Sequence, residues 1–156
     1  MDKNLVIKIM RKKIGSDETS FVCGDVLAPG TNDCSTSDDC GSVYGFAIKI
    51  NSLKHKKEVF DAAQKAQDIQ DDLTLQKWHT IGDHFYPLYW GKDKYMGSRI
   101  TAHTKEYKGT RSIQLNAKTY LAGETIIFGV IQCSNCEKHE SEIRNAYKDI
   151  LKNKEL

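Results

Sequence analysis

The chain has no long hydrophobic run. Its longest apolar stretches, such as residues 125–130, fall well short of the roughly 20 residues that a membrane-spanning helix requires. Its first residues, Met1-Asp-Lys-Asn, lack the apolar stretch of a secretory leader, so a cytoplasmic location and no membrane partner are expected. No internal repeat and no low-complexity segment is found, which removes repeat arrays from consideration. There is no strong charge of either sign: 23 Lys and Arg stand against 21 Asp and Glu, for a net charge of +2, too little to mark the whole chain as a polyanion binder. The cysteines do not form an even set. Five are present, at 23, 34, 40, 133 and 136, and an odd number without a leader argues against a disulfide framework.

What is present suits one domain over residues 1–156. A hydrophobic fraction of 39% and a charged fraction of 28% are ordinary for a globular chain and argue against disorder. Residues 5–10 (Leu-Val-Ile-Lys-Ile-Met) are rich in β-formers and read as a strand. Residues 15–42 are crowded with Gly, Ser, Asp, Thr and Asn. They read as a long loop with a short strand near Phe21-Val-Cys23, so residues 1–42 form an N-terminal strand and loop extension. Residues 43–50 give the clearest strand. Asn51-Ser52 offers a helix cap, and Val59, Phe60, Ala63, Ala66 and Ile69 follow at helical spacing, predicting an amphipathic helix over 53–70.

Residues 84–90 suit a strand whose Pro87 demands an edge position or an irregular start. A short helix is expected over 94–105, a buried strand over 125–132 and a last helix over 137–152. This order lacks tidy βαβ alternation and favours an α+β fold: a small, mostly antiparallel sheet flanked by helices.

Chemistry concentrates in residues 87–103. A strand ends in Tyr89-Trp90-Gly91, Lys92 follows at once, and the next helix carries Arg99 and His103. Positions i and i+4 share a helical face, so those two side chains can reach one point. Arg matches a phosphate with its forked donors, and His donates to a phosphate or shuttles a proton near neutrality. Gly91 permits a tight turn. A phenol beside the Lys92 ammonium is favoured as phenolate and becomes a better proton acceptor. Lys92, Lys94, Arg99, His103, Lys105, Lys108 and Arg111 make a local basic stretch able to bind phosphates; a solvated lysine-rich face is the bland alternative.

This block resembles the second half of the GIY-YIG nuclease motif, in which a Tyr-(Ile/Val)-Gly strand end precedes a Lys and an Arg-bearing helix. Ser42-Val43-Tyr44 fits the first half, at the start of the strongest strand. Ser42 stands where the family has Gly, and Trp90 where it has a small β-branched residue. The first change bears on the local turn and the second on the substrate groove. The resemblance covers residues 43–50, 86–105 and 125–153. The helix between the two motif tyrosines, within residues 52–76, is an insertion of the kind found in restriction-endonuclease-like members.

The resemblance also implies a carboxylate on the last helix as the ligand of Mg²⁺ or Mn²⁺. Glu137, Glu140 and Glu142 are the candidates. Glu140 shares a face with Ile143, Tyr147 and Ile150 and is preferred. Asn153 is a loose match to an Asn that the family often carries beyond that Glu.

The implied activity is hydrolysis of nucleic-acid phosphodiester bonds, with DNA favoured. Tyr44, assisted by Lys92, deprotonates water; Arg99 and His103 grip the phosphate; Glu140 holds the metal; Tyr89 lies beneath the phosphate. Cutting both strands calls for a homodimer or sequential nicking. A catalytically inactive nucleic-acid or nucleotide-binding module on the same fold is the alternative. The bland reading of Tyr44 and Tyr89 is that they serve only as strand aromatics in a core.

Cys133-Ser-Asn-Cys136 carries a separate reading. Its two-residue gap lets two thiolates share one Zn²⁺, and two of Cys23, Cys34 and Cys40 would have to complete the site at irregular spacings. The chain would then be a zinc-stabilised interaction protein; reduced thiols are the simpler alternative. His79 and His84 flank a strand without an obvious partner and read as structural.

Overall fold

The computed structural model describes residues 4–14, 21–25, 42–65, 74–93 and 124–132. They form helix α1 (Leu5–Ile14), strands β1 (Phe21–Asp25) and β2 (Ser42–Lys49), helix α2 (Leu53–Lys65), a 3₁₀ turn (Leu75–Lys77), and strands β3 (Phe85–Asp93) and β4 (Ile126–Gln132). The strands make one sheet in the order β1-β4-β2-β3, with each neighbouring pair antiparallel. The fold is therefore α+β, with a small antiparallel sheet, as the sequence leads one to expect.

β2 and β4 are the inner strands and are buried along nearly their whole length. Alternation along them builds two cores. Val43, Ala47, Ile127 and Ile131 face α1 and meet Val6, Ile7 and Met10. Tyr44, Phe46, Ile48, Ile126, Phe128 and Val130 face α2 and meet Val59, Phe60, Ala63 and Trp78. Each large apolar side chain so buried contributes about 1.5–3 kcal/mol.

Residues 5–10 are the main correction. They open α1 rather than forming a strand. A short run of Leu, Val, Ile and Met fits either element on composition. Burial decides it: Val6, Ile7 and Met10 are buried while Lys8 and Lys12 are exposed, a helical spacing, and the Lys8 amide donates to the Asn4 carbonyl at 2.9 Å. The helix lies so close to the sheet that a Cβ at Gly129 would stand 2.9 Å from Val6 Cγ1 and 3.0 Å from Ile7 Cδ1. Within the expected N-terminal loop, Phe21-Val-Cys23 does form a strand, β1, paired with β4.

Ser52 caps α2: its Oγ accepts from the His55 amide at 3.1 Å. The expected burial of Val59, Phe60 and Ala63 is found; Ala66 and Ile69 lie outside the described residues. Among the described strands β3 sits at the sheet edge, one of the two arrangements expected from Pro87, and it is also irregular. Phe46 pairs with Tyr89 and Ala47 with Pro87, so Leu88 is an extra residue in a β-bulge. β3 begins beyond a tight turn in which Gly82, Asp83 and His84 all have positive φ (133°, 46° and 62°). Thr80 holds this turn, accepting from the Gly82 amide at 2.9 Å and donating to the Phe85 carbonyl at 2.8 Å. No helix among the described residues is long and apolar enough to cross a membrane.

Candidate active site

The two halves of the tyrosine motif occupy adjacent antiparallel strands. The β2–β3 register sets Phe46 opposite Tyr89, Gly45 opposite Trp90, Tyr44 opposite Gly91 and Val43 opposite Lys92. Residues far apart in sequence thus fall within a few positions of one another on a single ladder, although α2 and the 3₁₀ turn intervene in the chain.

Tyr44 is 2% exposed and belongs to the core on the α2 side. Its ring stands edge-on to Phe46, with centroids 6.2 Å apart and planes at 78°. Its hydroxyl lies over Gly91, where a Cβ would be only 2.6 Å from the Tyr44 oxygen. Gly91 is therefore not at a turn, as its sequence context suggests. It lies inside β3, which continues to Asp93, and its missing side chain makes room for the phenol.

The two departures from the family pattern also have positions. Trp90 points to the opposite face of the sheet, within the α1-side core, at 2% exposure. Its ring covers Gly45, where a Cβ would be 2.7 Å from the indole. Trp90 thus fills core on the face away from Tyr44, rather than shaping a groove beside it. Ser42 is the first residue of β2 and pairs with Asp93 and Gln132, so it belongs to a ladder rather than a turn. Its hydroxyl is wholly buried and has no hydrogen-bond partner among the described residues.

Tyr89 and Lys92 are placed by the register of their backbone. Arg99, His103, Glu140 and its alternatives Glu137 and Glu142, Asn153, and the cysteines Cys34, Cys40, Cys133 and Cys136 lie outside the described residues. So do the helices expected over 94–105 and 137–152 and most of the basic stretch. Among the described residues, no group of three or more His, Cys, Asp or Glu side chains could hold a metal ion. Cys23, half-buried on β1, donates from its thiol to Asn4 Oδ1 at 2.9 Å.

Several contacts around α2 carry no clear signal in the sequence. His55 Nε2 stands 2.8 Å from Glu124 Oε1, tying the first turn of α2 to the residues before β4. Lys56 Nζ lies 4.9 Å from the Tyr86 ring centroid, and burial lowers its pKa below the ordinary lysine value of 10.5. Trp78, fully buried, donates from its indole nitrogen to the Pro87 carbonyl at 2.9 Å. His79 and His84 are exposed, and the His84 carbonyl accepts from the Ile50 amide at 2.8 Å.

No family model, curated protein or solved structure matches this chain.

Proposed function

We propose that the chain is a divalent-metal-dependent endonuclease of the GIY-YIG type, acting on phosphodiester bonds with DNA as the favoured substrate. One observation supports this reading most. The Ser-Val-Tyr strand and the Tyr-Trp-Gly-Lys strand are direct antiparallel neighbours, and their register sets Tyr44 opposite Gly91 with Lys92 at the next position. Composition does not require that pairing; the two-part motif does.

In this reading Tyr44 accepts the proton of the attacking water; Lys92 pairs with Val43, on the sheet face away from Tyr44, so no role beside the phenol is carried over to it. Arg99 and His103 bind the scissile phosphate and offset its growing charge. Tyr89 lies beneath the phosphate. Glu140 would hold Mg²⁺ or Mn²⁺; when bound, such an ion stabilises charge on the leaving oxygen. A homodimer would bring two such sites to the two strands of a duplex.

A second reading is favoured by the deep burial of Tyr44 against Phe46 and by Ser42 in the position of a glycine. The same scaffold would then bind nucleic acid without cutting it. Supercoiled plasmid and single-stranded DNA, each incubated with Mg²⁺, with Mn²⁺ and with a chelator, separate the two. Metal-dependent cleavage is expected. Retention of DNA in a mobility-shift assay with intact substrate would replace the enzyme reading by the binding one.

A further inference from the structure

We infer that Ser42, Asp93 and Gln132 form an oxygen site for a hard divalent cation, Mg²⁺ or Mn²⁺, one row beyond Tyr44 on the same face of the sheet. The site stands on its own; its bearing on cleavage rests on the nuclease reading.

The strand register builds the row. Ser42 pairs with Asp93 on β3 and with Gln132 on β4. Side chains along a strand alternate between faces, so Ser42 shares its face with Tyr44 and Phe46, on the α2 side. The next two rows on that face are apolar or aromatic: Gly91 and Val130 stand opposite Tyr44, and Tyr89 and Phe128 opposite Phe46. The row at Ser42 instead brings together a carboxylate, a hydroxyl and an amide. Directly paired residues on one face have β-carbons about 4.5–5.5 Å apart. One ion above the row is therefore within direct reach of Asp93 and Ser42. It reaches Gln132 through a coordinated water, of which Mg²⁺ usually keeps several.

Ser42 supplies the observation that points to a ligand. It is 0% exposed, and its hydroxyl has no hydrogen-bond partner among the described residues. A buried hydroxyl left unpaired is rare in native proteins, and a bound ion or water is a common reason for one. A water would satisfy the hydroxyl alone. Asp93 decides for a cation. It is the one charged residue of the row, and Lys92, its neighbour in sequence, falls on the other face, opposite Val43. Oxygen donors without nitrogen or sulfur suit Mg²⁺ or Mn²⁺ rather than Zn²⁺. A single carboxylate sets the affinity at the weak end, about 10⁻⁴–10⁻³ M. In the nuclease reading the ion adds positive charge on the Tyr44 face, where Lys92 adds none, and so helps to seat the scissile phosphate.

Mn²⁺ added to the native chain without DNA tests the site, because the ion broadens the NMR signals of nearby nuclei. The signals of Ser42, Asp93 and Gln132 are expected to broaden first, and those of Ile50, just past the other end of β2, last. Asp93→Asn should weaken Mn²⁺ binding about 10-fold or more. Glu140→Gln should leave the broadening of these three residues in place. Thermal unfolding gives a second readout. In a chelator Ser42→Ala should melt above the native chain, because an unpaired buried hydroxyl is gone. In Mg²⁺ it should gain less than the native chain does. Native broadening that spares the three residues, that survives Asp93→Asn or that vanishes in Glu140→Gln would overturn the proposal. So would an equal gain of the two chains from Mg²⁺. Cation binding at the row without any cleavage of DNA would remove the nuclease reading and leave the site standing.

Discussion

Tyr44 and Gly91 face each other across the β2–β3 ladder, and the Tyr44 hydroxyl fills the space that a side chain at residue 91 would need, 2.6 Å from the position of its Cβ. The pair is complementary in the literal sense: one residue supplies a phenol and the other an absence. Gly91→Ala is therefore expected to destabilise the fold by about 1–3 kcal/mol through overpacking. Tyr44→Phe removes the closest atom but leaves the ring carbon at 2.8 Å, so it should recover only part of that loss. Denaturant unfolding of the two single variants and the double variant measures the coupling. Strict additivity would show that the two residues do not share this space.

The same logic governs the contact between α1 and the sheet. Gly129 has Val6 and Ile7 atoms at 2.9–3.0 Å from where its Cβ would be, and both side chains are firmly packed. Gly129→Ala should push α1 away from β4 and cost about 1–3 kcal/mol. Amide exchange in α1 should quicken more than in α2. Equal protection of the two helices in the variant would contradict the close approach.

The turn before β3 offers a substitution in the stabilising direction. His84 has a φ of 62° and an exposed side chain, and its backbone carbonyl accepts from the Ile50 amide. A left-handed residue other than glycine pays roughly 1–2 kcal/mol, offset in part by the extra freedom glycine has when unfolded. His84→Gly should thus stabilise the fold by a few tenths to about 1 kcal/mol, seen as a higher midpoint in thermal unfolding. A lower midpoint would mean that the imidazole makes a contribution of its own.

Lys56 gives a prediction in pH. Burial disfavours its charged form, while the Tyr86 ring at 4.9 Å favours it, and the net direction is downward from 10.5. The unfolded chain then binds more protons in the interval just below pH 10.5, so this group's contribution to stability rises with pH across that interval and is level below it. The side chain is half-buried and keeps access to solvent, so the effect is small. Titration of the Lys56 ε-methylene by NMR should give a midpoint below 10.5; a midpoint at or above it would show that the ring contact outweighs desolvation.

Much of the sheet was legible in the sequence because β2, β3 and β4 carry long apolar stretches bounded by turn residues. Ser52 and the 59-60-63 spacing announced α2 equally well. α1 was not legible as a helix, since Leu5, Val6, Ile7, Ile9 and Met10 suit a strand by composition and only packing on Gly129 settles their periodicity. The bulge was half legible: Pro87 signalled an irregular edge, but the phase change that turns Trp90 away from Tyr44 comes from the extra residue Leu88, which no local pattern marks. Of the candidate site, the sequence named Tyr44, Tyr89, Gly91 and Lys92. It assigned Gly91 to a turn because glycine is the usual turn residue, whereas here the reason is a ring from the neighbouring strand.

The nuclease proposal meets its most direct test in single-turnover cleavage of a plasmid with Mg²⁺ by the native chain, Tyr44→Phe, Arg99→Ala and Glu140→Gln, each first shown to unfold cooperatively. Cleavage by the native chain that is abolished by chelation is expected. Loss of the Tyr44 proton acceptor should slow it by about 10²–10⁴-fold, and Arg99→Ala and Glu140→Gln should abolish it. Cleavage at the native rate by a folded Tyr44→Phe variant, or none by the native chain in any divalent metal, would contradict it.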